Sequence, residues 1–102
     1  MIHVIATVEL KPGLRNDFLK ILRANVPNVL AEKGCKGYQP TVDVDSGIPI
    51  QEALRPDVVT LVEAWDSTAD LKVHLQSPHM LEYREKTKDL VKRVVIQVME
   101  AV

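Results

Sequence analysis

The stretch from Val58 to His79 reads VVTLVEAWDSTADLKVHLQSPH and changes period halfway along. Its first eight residues, Val58 to Trp65, are apolar on both faces, which predicts a strand buried on two sides in the middle of a sheet. Ser67 then has the character of an N-cap, with Asp70 three residues later placed to complete a capping box. A short helix is expected from there to about Gln76, and Pro78 opens a second one. The chain's only tryptophan and two of its three histidines fall within Glu63–His79. Written as a pattern, this part is E-x-W-x8-H-x3-P-H. A carboxylate, an indole and an imidazole are thereby offered to one place.

Working outward, residues 2–10 alternate, with Ile2, Val4, Ala6, Val8 and Leu10 on one face, the signature of a strand. Lys11-Pro12-Gly13 is a turn. From Leu14 the spacing becomes helical through Phe18, Ile21, Leu22, Val29 and Leu30. Pro27 is expected to bend this helix near Arg23 or Ala24, and Gly34 to stop it. A second strand is predicted over Lys36–Val44. The polar residues 43–57 then form a loop long enough to be a lid or a subunit contact. After Pro78, Met80, Tyr83, Thr87, Leu90 and Val91 share one helix side, and Val94–Met99 alternates as the last strand. The order β-α-β-β-α-β predicts an α+β, ferredoxin-like single domain over residues 1–102, with four antiparallel strands and helices on one face. Several strands are apolar on both faces, so the uncovered face is expected to pair with a second copy as a homodimer.

Hydrophobic residues make up 46% of the chain but aromatics only 4%, so Val, Leu, Ile and Ala must build the core. A net charge of -1 leaves no electrostatic footprint for nucleic acid. No segment reaches membrane-spanning length. With Cys35 as the lone cysteine, no intrachain disulfide can form, which points to the reducing cytoplasm.

His74 falls on the inward stripe of its helix. It reads either as a core histidine with both nitrogens satisfied or as a general base, with Glu63 orienting its ring. Trp65 shares a strand face with Glu63; it fills the core or offers a planar ligand a stacking surface. His79 stands near a helix start, where imidazoles are usually solvated. Tyr83 and Arg84, if directed into the crevice between helix and sheet, would bind an anionic oxygen. His3, His74 and His79 have no common metal-ligand spacing, and no metal is expected. Cys35 reads as a small core residue. No P-loop, GxSxG or GxGxxG occurs.

Lys11-Pro12-Gly13, Glu32-x-Gly34-Cys35-x-x-Tyr38, Glu63-x-Trp65, His74 and Pro78-His79, taken in order, make the chain resemble the antibiotic biosynthesis monooxygenase family. The resemblance spans essentially the whole chain and implies a dimeric α/β-barrel. Members of that family oxygenate quinols or anthrones with O2 and no cofactor, degrade haem, or rearrange small phosphorylated signalling sugars. The anthrone oxygenases' Asn, four residues before their Trp, is Leu61 here. The haem degraders' His aligns near Arg84, so the haem ligand is absent. The pattern is closest to the quinol monooxygenase-like branch and the sugar-processing members.

The leading expectation is a cofactor-independent monooxygenase acting on a small quinol or polyphenol with O2. His74 and Glu63 are its catalytic pair, and Trp65, Tyr83, Arg84 and His79 bind substrate. A non-catalytic dimeric module that sequesters or detoxifies a small molecule is the alternative from another class. Isomerisation of a sugar phosphate is a third, resting on Arg84, Lys86 and Lys88.

Overall fold

A computed structural model describes residues 1–102. Strand β1 (Ile2–Leu10) leads into helix α1 (Arg15–Leu30), then β2 (Cys35–Thr41) and β3 (Val58–Trp65). Helices α2 (Thr68–Leu75) and α3 (Pro78–Thr87) follow, and β4 (Val91–Glu100) closes the chain. The four strands form one antiparallel sheet in the order β2-β3-β1-β4. This is the expected β-α-β-β-α-β arrangement, with the second helical unit split at Pro78.

Three boundaries differ from expectation. Strand β2 stops at Thr41, before Val42 and Val44, because β3 begins only at Val58 and pairs no further than Thr60 with Thr41. Strand β4 starts three residues earlier than its alternation suggested, since pairing with β1 reaches Leu10 through a bulge. Helix α1 ends at Leu30, with Ala31 as its C-cap, so Gly34 is not the helix stop. Gly34 instead lies at φ +80°, and a Cβ there would fall 2.2 Å from Asp70 Oδ2. Only glycine fits a left-handed turn pressed against the start of α2. Its carbonyl also accepts the Asp66 amide at 2.8 Å.

Ser67 caps α2 as expected, accepting the Asp70 amide at 3.1 Å. Helix α1 runs on through Pro27. The inner sheet face carries Ile2, Val4, Ala6, Val8 and Leu10 beside Val59, Leu61 and Trp65, all buried, against Phe18, Leu22 and Val29 of α1. Along β4 the residues are exposed on both faces, including Val94, Ile96 and Val98. The outer sheet face also stays open, with Val62, Val95 and Met99 exposed. Loop 43–57 is held by a two-pronged Asp43–Arg55 ion pair with both contacts at 2.9 Å. No helix is long and apolar enough to cross a membrane.

Candidate active site

Between the helices and the inner sheet face lies a cavity of about 380 Å³, with ten hydrophobic residues among its fifteen lining positions. Strand register gives it a direction. Tyr38 and Glu63 face each other across β2 and β3, forming one level. Ala6, Leu61 and Ile96 form the next, and Val8 with Val94 the one beyond. Its sheet wall is therefore polar at the Glu63 level and apolar along the rest. His74 and Leu75 enter from α2; Met80, Tyr83 and Arg84 enter from α3. Within the single chain, no residue of loop 43–57 lines it.

His74 is 2% exposed, and its Nδ1 stands 2.5 Å from Glu32 Oε2. Glu32 reaches it because the turn after α1 is locked to the start of α2 through Gly34, Asp66 and Asp70. An acceptor on Nδ1 fixes the proton there and leaves the Nε2 lone pair free. Burial pushes the His74 pKa below its ordinary value, against the pull of the Glu32 hydrogen bond. The ring is thus kept neutral and aimed, as a general base requires.

The carboxylate that orients His74 is therefore Glu32, not Glu63. Glu63 Oε1 instead accepts the Trp65 indole N–H at 3.0 Å, as their shared strand face allows. Glu63 is 6% exposed. Burial pushes its pKa up to about 7, opposed by the indole hydrogen bond and aided by the charge of Glu32.

Trp65 does not line the cavity. It is fully buried, with its ring 4.6 Å from the His74 ring and its N–H on Glu63. It backs both polar groups and offers a ligand no stacking wall. His79 is also outside the cavity. It faces a second, polar groove between α1 and α3, with Lys20, Asn25 and Asn28. Its Nε2 lies 3.2 Å from Glu32 Oε1, near enough for charge attraction but off the line of a hydrogen bond.

Tyr83 and Arg84 do line the cavity. Phe18 meets the Tyr83 ring edge-on at 6.1 Å. Burial raises the Tyr83 pKa, so its hydroxyl stays a donor. Arg84 Nη2 donates to the Leu75 carbonyl. Of the other cations near it in sequence, Lys86 pairs with Glu82 outside the cavity, while Lys88 pairs with Glu85 and also lines the cavity. No three His, Cys, Asp or Glu side chains converge to hold a metal ion.

Two cavity-side residues had only motif membership to mark them. Glu32 and Tyr38 both stand in the Glu32-x-Gly34-Cys35-x-x-Tyr38 run, yet periodicity gives neither a role. Tyr38 is buried, its ring 5.6 Å from that of His74.

Comparison with known proteins agrees with the fold. The family model for antibiotic biosynthesis monooxygenase matches residues 1–86. The chain is 39% identical over 106 residues to the Escherichia coli K12 protein named "Probable quinol monooxygenase YgiN", covering 98% of this chain and 97% of that one. The solved structure of PA3566 from Pseudomonas aeruginosa superposes with a TM-score of 0.80 at 25% identity, covering 99% of this chain and 93% of that one. Rv0793 from Mycobacterium tuberculosis gives a TM-score of 0.79 at 27% identity, covering 99% and 94%.

Proposed function

The chain belongs to the antibiotic biosynthesis monooxygenase family, and from that premise we propose that it hydroxylates a small quinol with O2 and no cofactor. The observation that supports this best is a mostly apolar cavity lined by a buried histidine whose Nδ1 is anchored on a carboxylate. A quinol carries its own reducing electrons. The protein has only to remove a phenolic proton, hold the resulting anion, and keep water away while O2 reacts.

His74 Nε2 takes the phenolic proton, and Glu32 steadies the imidazolium that forms. The Tyr83 hydroxyl and the Arg84 guanidinium supply donors to the quinolate oxygens in a medium where such contacts are strong. Trp65 keeps His74 and Glu63 in place from behind. His79 joins the site through Glu32. The active form is a homodimer joined through the outer sheet face, where Val62, Val95 and Met99 await cover. Its setting is the reducing cytoplasm, where Cys35 stays a thiol.

Oxygen uptake with menadiol tests the reading. Wild type should exceed autoxidation, and His74→Ala should fall back to it. Equal rates in the two proteins, with both folded, would sink it. A sequestering module would instead bind menadiol without accelerating oxygen uptake. An isomerase acting on a sugar phosphate would instead draw on Arg84 and Lys88, both of which line the cavity, while Lys86 lies outside it.

A further inference from the structure

Two titratable groups reach the cavity from opposite layers, His74 from the helices and Glu63 from the sheet. Glu63 has no ion-pair partner. Its neighbours on the same sheet face are Val4 and Tyr38, and its only hydrogen-bond partner is a neutral indole. A carboxyl group enclosed in this way holds its proton more tightly than a solvated one, because a single indole N–H offsets only part of the cost of a buried charge. The titratable or charged groups facing it are Glu32, Cys35, Tyr38, His74, Tyr83 and Arg84. Of these, Glu32 acts to raise its pKa further. Environments that push two groups apart in this manner separate an acid from a base.

We propose that Glu63 is the general acid of the reaction, protonating the peroxide that forms when O2 adds to the quinol ring. The assignment rests on quinol hydroxylation being the reaction. His74 Nε2 first takes the phenolic proton. The quinolate passes one electron to O2, and the semiquinone and superoxide join through a new carbon–oxygen bond. Glu63 gives its proton to the terminal oxygen of that peroxide and becomes a carboxylate. The O–O bond then breaks as the ring carbon loses its hydrogen to the Glu63 carboxylate and becomes a carbonyl. The departing hydroxide takes the proton held by His74 and leaves as water. Quinol and O2 give hydroxyquinone and water, and both side chains return to their starting states.

The experiment measures where the oxygen goes. With menadiol under air, wild type should yield the hydroxylated quinone and little hydrogen peroxide. Glu63→Gln keeps an oxygen for the Trp65 N–H but has no proton to give. In that variant oxygen uptake should persist, while hydroxylated product per O2 falls about tenfold or more, in line with the weight of a positioned acid. Menadione and hydrogen peroxide should take its place. A Gln variant with the wild-type product ratio would overturn the assignment. The wild-type protein provides a second reading that needs no variant. Its peroxide fraction should rise as Glu63 ionises above about pH 7, and a flat ratio from about pH 6 to about pH 8.5 overturns the assignment as well. Absence of quinol-dependent oxygen uptake in wild type is a distinct failure: it removes the hydroxylation reading, and the acid with it.

Discussion

Glu32–His74, part-buried, and Glu63–Trp65, buried, are carboxylate pairs within one cluster, yet they respond to acid in opposite directions. The Glu32–His74 pair joins the turn after α1 to α2 across 42 residues of sequence. Its histidine has a folded pKa below the ordinary value. The stability tied to that shift is present above the unfolded histidine's pKa and is lost as pH falls through the lowered folded value. Glu63–Trp65 lies within one strand, and its carboxyl titrates higher folded than unfolded. Its contribution is full below the unfolded value near 4.5 and is lost as pH rises through about 7. Burial of His74 and of Glu63 has opposite consequences because one group is a base and the other an acid. The partner decides how far each is moved.

The comparison can be broken most severely at His74. His74→Ala should lower kcat with menadiol by about 10²–10⁴, the usual worth of a positioned base. It should also cost about 1–3 kcal/mol in urea unfolding, since Glu32 is left without its hydrogen bond. Loss of stability with unchanged kcat would make the pair purely structural.

The next largest effect sharpens the opposite sign. Wild type should lose about 2–3 kcal/mol of unfolding free energy through Glu63 as pH rises from about 5 to about 8.5. Glu63→Gln should lack that decline, so the two stability curves against pH diverge toward alkaline conditions. Parallel curves would place the Glu63 carboxyl in an ordinary, solvated state.

Smaller still is Trp65→Phe, which removes the one N–H that favours the charged form of Glu63. It should cost about 1–2 kcal/mol and move the alkaline loss of stability to higher pH, an effect visible in thermal melts. Asp43→Ala, far from either pair, breaks an exposed ion pair in loop 43–57. It should change stability by less than about 0.5 kcal/mol and leave kcat alone. A larger effect there would tie the loop to the site.

The sequence carried the fold because periodicity is a local signal. Alternation over residues 2–10, the Ser67 cap and Pro78 each report on a few neighbours, and each element lies where those residues said. The site was legible only in part. His74 appeared through its place on an inward helical face, and Glu63 and Trp65 through their shared strand face. Glu32 did not, because its partner is 42 positions away and the contact depends on Gly34 admitting Asp70 at close range. Trp65 was read as a ligand platform because aromatic residues are scarce. Burial of the ring behind His74 is a tertiary fact that no spacing records.

Strand β4 pairs with β1 from Leu10 with Val91 to Ile2 with Glu100, so the first and last strands lie side by side. Val94 and Ile96 supply one wall of the cavity. In chain order that wall comes after every other residue that lines the cavity. Glu32, Glu63 and His74 all precede it, so the polar groups are encoded before the strand that helps enclose the cavity. The neighbouring ends of β1 and β4 open this order to engineering. A circular permutant that joins those ends and begins in loop 43–57 would run β3-α2-α3-β4-β1-α1-β2, so β4 would come before its partner β1 while the cavity kept the same walls.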